Sequence, residues 1–363
     1  MRVLCVAGYS DRPETETFIG LKEKGVDIEV ICQPTAPHID RLLDSGVDTV
    51  PLEIRSRIDL RAIGQIRRRL INGKVDILHG FTNKAISNAI IASTGIPVRI
   101  ITYRGTVGNL SCWNPGAWTT HLNPRVDKVV CVSNAVLNHF LHMKIFGFYM
   151  NPNKFITIHK GHEPTWYAHP PADLTKFGIP EDAFVVSCVA NYRRHKGIEV
   201  LIEAAELLEK YPQIHILIVG KLNNASHLVK IDRENAKSNV HFTGYQANAA
   251  ALVAASDLFV LPVIRREGFP KTLIEAMAQG IPPVVTNVGG VPEIADRNCS
   301  LIVPPGNSRA LAHSIQFLFE NPDRRKHLGE KAKERIREHF TIERTIHETY
   351  ELYCELTGQD GKI

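Results

Sequence analysis

Short apolar runs recur along this chain, separated by stretches with helical spacing, and the rhythm starts over past the midpoint. In the first half the runs are Val3 to Ala7, Ile28 to Cys32, Asp76 to His79, Val98 to Thr102 and Lys128 to Val132, with helical stretches such as Thr15 to Lys24 and Lys84 to Thr94 between them. After residue 180 the pattern begins again with Phe184 to Val189 (FVVSCV), and Leu201, Ala204, Ala205, Leu208 and Tyr211 then fall on one helical face. Further runs follow at His215 to Val219, Val240 to Thr243, Leu258 to Leu261, Pro283 to Val285 and Leu301 to Val303. A strand that reads as a continuous apolar run has both faces buried, and strands that alternate with helices pair in parallel. The expected fold is therefore α/β: two Rossmann-like parallel-sheet domains in tandem, facing a cleft, with ligands outside the carboxyl ends of the strands.

A length of 363 residues fits two such domains. Gly161 to Pro180 carries Pro164, Pro170, Pro171 and Pro180 and reads as a linker. We expect a first domain over 1–165, a second over 166–340 and a C-terminal helix over 341–363, the end of a polar helical region from Asp323 to about Leu356. The apolar run at the N-terminus is too short for a signal-peptide core, and no run of 18 apolar residues occurs, so neither a secretory leader nor a membrane-spanning helix is expected. Seven scattered cysteines without a CxxC suit free thiols in a reducing cytoplasm. The formal charge of +5 suits an enzyme that handles anionic nucleotides or works near anionic lipid, and no nucleic-acid-binding motif accompanies it.

The most informative segment is Arg265 to Ile294, RREGFPKTLIEAMAQGIPPVVTNVGGVPEI. A strand ends at Leu261, a loop carries Glu267 and Gly268, and Pro270 and Gly280 suit the first position and the exit of a short helix. The start of that helix, with free backbone N–H groups and the positive end of its dipole, makes an anion site suited to a diphosphate. Glu267 before the helix and Glu275 inside it could both face one elongated ligand and accept hydrogen bonds from sugar or ribose hydroxyls. Gly289-Gly290 permits a second close backbone approach.

This segment resembles the signature of retaining family-4 glycosyltransferases, which have the GT-B fold. The resemblance implies that Glu267 touches the transferred sugar, that Glu275 holds the ribose, and that the backbone of Gly268, Phe269, Pro270, Lys271, Thr272 and Leu273 meets sugar and phosphate. VANYRRHKG (Val189 to Gly197) resembles the family's phosphate-binding turn, with Lys196 at its lysine, Asn191 where an arginine is usual, and Arg193 or Arg194 able to supply that charge. VHFTGY, ending in Gly244 and Tyr245, resembles the loop that frames the nucleobase. VPPGN (Val303 to Asn307) and a final helix that crosses back to the first domain also fit.

The first half departs from the family. One glycine stands in Gly8-Tyr9-Ser10-Asp11, where a glycine-rich loop is usual, and Arg104 stands where a histidine is usual. Arg104 could place a cation beside the leaving phosphate or be a salt-bridged loop residue. His79, at a strand end, reads as structural. No HExxH or Asp-x-Asp occurs, so no metal is expected, and Lys196, Arg193 and the helix start are left to neutralise the diphosphate. The expected activity is metal-independent, retaining transfer from a UDP-, GDP- or ADP-sugar co-substrate, without other cofactors, to a glycan or glycolipid acceptor in cell-surface polysaccharide or lipopolysaccharide synthesis. The rivals are a nucleotide-sugar epimerase of the same fold and an inactive sugar-binding homologue; a dehydrogenase would need a GxGxxG after a strand, and none is present. Seven basic residues between Arg55 and Lys74, with the apolar stretch Phe140 to Met150, could dock on an anionic membrane from its cytoplasmic side, or could be a solvated helix face and a core-packed loop.

Overall fold

A computed structural model describes residues 1–108, 110–145, 147–222 and 239–359. They form two compact units, Met1–Gly161 with the chain from Phe340 on, and His162–His339.

The first unit opens on β1 (Arg2–Gly8), α1 (Arg12–Glu23), β2 (Asp27–Cys32), α2 (Ile39–Asp44), β3 (Asp48–Pro51), α3 (Leu60–Gly73), β4 (Ile77–Gly80) and α4 (Asn83–Ala92). It continues through β5 (Arg99–Arg104), α5 (Pro115–Trp118), β6 (Lys128–Cys131), α6 (Asn134–Leu141), a hairpin of β7 (Lys144–Ile145) and β8 (Phe148–Tyr149), and β9 (Phe155–Thr157). Seven strands pair in the order β3-β2-β1-β4-β5-β6-β9, all parallel. Val3 to Ala7 of β1 are fully buried, as expected of a central strand covered on both faces. Helix starts follow local chemistry: the side chains of Asp11, Asp59 and Thr82 each accept a backbone N–H from the first turn of α1, α3 and α4. The two sheet strands without an apolar-run signal, β3 and β9, are the edge strands. β3 is DTVP, half-buried to exposed throughout, and β9 is three residues long.

The second unit contains β10 (Phe184–Val189), α7 (Ile198–Glu206), β11 (Ile214–Val219), β12 (Val240–Gly244), α8 (Ala249–Ala254), β13 (Leu258–Leu261) and α9 (Lys271–Ala278). It ends with β14 (Pro283–Thr286), α10 (Val291–Ile294), β15 (Leu301–Val303), α11 (Ser308–Glu320) and α12 (Pro322–His339). Its six strands run parallel in the order β12-β11-β10-β13-β14-β15. The direction of winding reverses between β10 and β13, which makes the carboxyl ends of those two strands the place where a doubly wound sheet binds ligands.

One expectation is corrected here. The proline-rich stretch after Gly161 is not a free linker: Leu174 and Ile179 are buried in a cluster with Val185, Leu217 and Leu252, and the Ala172 N–H donates to the Ala251 carbonyl. The C-terminal polar region is two helices, because Thr341 caps a new start at α13 (Ile342–Thr357), its hydroxyl accepting the Arg344 N–H. Tyr350, Leu352, Tyr353 and Cys354 of α13 complete the core of the first unit against α1 and β1.

Candidate active site

The turn after β10 and the loop after β13 emerge side by side at the reversal point of the second sheet. Main chain locks them together. Gly197 has φ +72°, and a Cβ there would overlap the Pro262 carbonyl, so only glycine lets the turn pass this close. The Ile264 N–H donates to the His195 carbonyl at 2.8 Å. The β13 loop is seated a second time on the turn after β14. Gly289, at φ +56°, lies against the backbone of Glu267, and the Gly290 N–H donates to the Glu267 carbonyl at 3.2 Å. Between these contacts Arg266 adopts a left-handed backbone, φ +64°, a conformation that non-glycine residues rarely take.

This frame brings two sequence-predicted residues into contact. Lys196 Nζ lies 2.6 Å from Glu267 Oε2, with side chains 23% and 13% exposed. Arg193 and Arg194 are exposed on the same turn. His195 is held below its ordinary range by partial burial and then by the nearby Lys196, Arg193 and Arg265, against the opposing pull of Glu267. That balance of charges marks a locally positive surface, and it adds His195 and Arg265 to the residues around the site.

The helix that follows starts one residue later than expected. Pro270 is its cap rather than its first residue; it offers no side-chain acceptor, and the helix spans Lys271–Ala278. The backbone at Lys271 and Thr272 is thus left for an anion, whereas the Leu273 N–H is already bonded to the Pro270 carbonyl and the Leu273 side chain is core. Gly268 and Pro270 are buried and Phe269 is half-buried. Glu275 stands one turn in, its carboxylate 3.1 Å from Lys271 Nζ.

The carboxyl ends of β10, β11 and β12 are laced by backbone. Gly220 fits against the Ala190 carbonyl, the Gly220 N–H donates to the Gly244 carbonyl, and the Tyr192 N–H to the Lys221 carbonyl. Asn191 contributes directly, its Oδ1 accepting the Lys221 N–H at 3.0 Å, which is a job an arginine at this position could not do. Tyr245 is 64% exposed with the Lys221 ammonium 5.2 Å from its ring centre, presenting an aromatic face at the end of β12.

Arg104 belongs to the first unit. Its Nε donates to the Thr106 carbonyl at 2.8 Å and a terminal nitrogen donates to the Gly108 carbonyl, so it ties down its own loop. Burial lowers its pKa. His79 is buried, with Nδ1 2.8 Å from the Tyr353 hydroxyl.

The comparisons with known proteins agree with this geometry. The family described as Glycosyltransferase Family 4 matches residues 16–164, and that described as Glycosyl transferases group 1 matches residues 171–335. The chain is 27% identical to the N-acetyl-alpha-D-glucosaminyl L-malate synthase of Bacillus anthracis over 65% of its own length and 62% of that protein's. It is 25% identical to the UDP-Gal:alpha-D-GlcNAc-diphosphoundecaprenol alpha-1,3-galactosyltransferase of Escherichia coli over 77% of its own length and 76% of that protein's. With other curated relatives the match spans about half of the relative, as with 47% of the trehalose synthase of Pyrococcus horikoshii. Among solved structures, a glycosyltransferase from Rickettsia africae superposes with a TM-score of 0.80 at 20% identity, covering 98% of each chain. The Anabaena protein HepE, solved in complex with UDP, superposes with a TM-score of 0.78 at 20% identity, covering 98% of this chain and 100% of that one. The two family matches cover consecutive halves of the chain and meet on two parallel sheets of the right kind: the chain belongs to the family-4 glycosyltransferases of GT-B fold.

Proposed function

We propose that this protein is a retaining, metal-independent glycosyltransferase that takes a nucleotide-sugar donor on its second unit and a glycan or glycolipid acceptor on its first. The observation that carries this reading is the Lys196–Glu267 pair, 2.6 Å apart, beside the uncapped start of α9. A cation and free N–H groups suit the departing diphosphate, and a carboxylate held among them suits the hydroxyls of the sugar next to it. Glu275 would hold the ribose, with Tyr245 and the Gly244 backbone beside the base. Arg193 adds charge on the phosphate side. With these cations in place the leaving group needs no metal, and the sequence lacks the Asp-x-Asp that would bind one. Among the described residues of the second unit no side chain beside Lys196 and Glu267 is arranged as a nucleophile backed by a base, which favours same-face attack over a double displacement.

The first unit supports a membrane-bound acceptor. Of the seven basic residues between Arg55 and Lys74, Arg69 is taken up by Glu29 at 2.6 Å and Arg67 by the Ala92 and Thr94 carbonyls. Beside Arg57 and Arg61 in the chain are the exposed apolar side chains of Ile58 and Leu60, before and at the start of α3, and Gly116, three positions after the exposed Trp113, lies against the Arg57 guanidinium. Phe140, by contrast, is core, and among the described apolar side chains of that second stretch Phe148 and Tyr149 stand out in solvent. Among the described residues no helix is long and apolar enough to cross a membrane. Basic and apolar side chains together suit shallow docking on anionic lipid at the cytoplasmic face.

The test is a thermal-shift screen of UDP-, GDP- and ADP-sugars, followed by transfer assays with glycolipid acceptors in the presence of a chelator. Ligand at 100 times Kd should stabilise the fold by about 2.7 kcal/mol. A product with the donor's anomeric configuration, formed despite the chelator, is the expected result. Donor isomerised without acceptor would instead identify an epimerase. Donor bound but never turned over would identify an inactive homologue.

A further inference from the structure

Under α1 of the first unit lies a cavity of about 40 Å³, walled by Phe18, Phe81, Tyr103 and Tyr353, with Glu14 and His79 also lining it. A water needs about 10–15 Å³ of such space and two to four polar partners. The cavity therefore has room for one water or a few, and for no metabolite. Among the described residues two buried atoms of its lining residues, His79 Nε2 and Glu14 Oε2, have no protein hydrogen-bond partner. An unmatched buried polar atom costs about 1–3 kcal/mol, so two beside one void favour water in it.

The remaining contacts fix which way each proton points. The ammonium of Lys160 can only donate, and it lies 2.8 Å from Glu14 Oε1 and 2.9 Å and 3.1 Å from the two Asp11 oxygens. Glu14 is therefore an acceptor on that side. His79 lies against Phe81, ring centres 4.2 Å apart and planes tilted by 30°, and burial keeps its imidazole neutral, with a pKa of about 3. A neutral imidazole has one N–H. Were it on Nδ1, the Tyr353 hydroxyl would be left to donate to the Cys5 sulfur, a weak acceptor 4.0 Å away. With the proton on Nε2, the Tyr353 hydroxyl donates to Nδ1 at 2.8 Å, and the Nε2–H points to the cavity side.

We propose that this cavity is a water-binding site in which ordered water accepts from His79 Nε2–H and donates to Glu14 Oε2. It closes a hydrogen-bonded chain in which the donors run one way from Cys5 through Tyr353, His79 and the water to Glu14, and Glu14 also accepts from Lys160, the shared donor to Glu14 and Asp11. The chain joins α13 to β4 and to the start of α1.

NMR of the intact protein with ¹⁵N-labelled histidine tests this. At about pH 8.5, above the value of about 7 to which burial raises Glu14 and where it is therefore a carboxylate, His79 should be the neutral Nε2-protonated tautomer, and its Nε2 proton should show a cross-peak to a long-lived water. In Glu14→Gln the tautomer should persist while the Nε2–H resonance shifts, because the water's acceptor has lost its charge. A Nδ1-protonated His79, or an Nε2 proton with no water cross-peak, overturns the proposal. So does a resonance identical in both proteins.

Discussion

Replacing Glu267 by glutamine should tighten the binding of a free nucleoside diphosphate while it lowers turnover. In the resting site the Lys196 ammonium is held by the Glu267 carboxylate at 2.6 Å, and both side chains are mostly shielded from water. A diphosphate that needs Lys196 must take it from that carboxylate. Hydrogen bonds to charged groups contribute about 1.5–3 kcal/mol, and charge-assisted ones are roughly twice as strong as neutral ones. Glutamine keeps the neutral half of the interaction, so its removal of charge should release about 1 kcal/mol, or ~5-fold in Kd. The assay is calorimetric titration of UDP, GDP and ADP into wild type, Glu267→Gln, Lys196→Ala and the double variant. The gain should appear for at least one diphosphate and vanish in the Lys196→Ala background. Turnover should fall in Glu267→Gln, because the carboxylate proposed to face the sugar is gone. Unchanged or weaker affinity for every diphosphate would refute the reasoning and show that Lys196 is not where the phosphates bind.

Gly289→Ala places a methyl group on the Glu267 carbonyl in a backbone of φ +56°, so kcat should fall and Tm should drop, with the far-UV spectrum unchanged; normal kinetics would mean that the seat of Glu267 is not rigid. Arg104→Ala removes two hydrogen bonds from its own loop and should cost about 2 kcal/mol of stability, read by denaturant titration, with nucleotide affinity intact. If stability holds while kcat collapses, Arg104 instead acts on the substrate. Stability should also fall on acidification below about pH 6.5. His79 and His121 are buried with pKa values of about 3 against an ordinary 6.5, so the unfolded chain binds two more protons there, and His215 and His241 shift the same way. Glu14, raised to about 7 mainly by burial, binds its proton in the folded state and offsets one of them. The net of about one proton or more predicts a loss of at least ~1.4 kcal/mol per pH unit between about pH 6 and 5, and a flat profile would contradict the sign.

Much of the architecture was legible because buried parallel strands leave an unambiguous trace. Phe184–Val189 and Leu258–Leu261, both interior strands of the second sheet, match the expected runs to the residue. The edge strands β3 and β9 left none, since an edge strand half in water needs no apolar run. The proline-rich stretch misled because composition reports backbone stiffness and not what Leu174 and Ile179 pack against. For the proposed site, Glu267, Glu275 and Lys196 could be placed on their loop, helix and turn from the sequence. Their contacts were not: Lys196 and Glu267 are 71 positions apart and meet only because β10 and β13 are neighbours. The use of Asn191 to hold the Lys221 N–H, and the spending of the Leu273 N–H on Pro270, are facts of hydrogen-bond geometry that no residue type announces.

The return of α13 to the first unit has a consequence for how the protein is made. The ribosome delivers Met1–Gly161 first, yet the seats for Tyr350, Leu352, Tyr353 and Cys354 must wait until all of His162–His339 has emerged. At roughly 5–20 residues per second that delay is on the order of 10–35 s. Throughout it the first unit carries an open apolar slot beside α1 and β1, while the second unit, continuous in sequence, can close as soon as it leaves the tunnel. The half of the molecule that starts first is thus the half that finishes last, and a nascent chain stalled before Ile342 should engage holdase chaperones through its N-terminal unit.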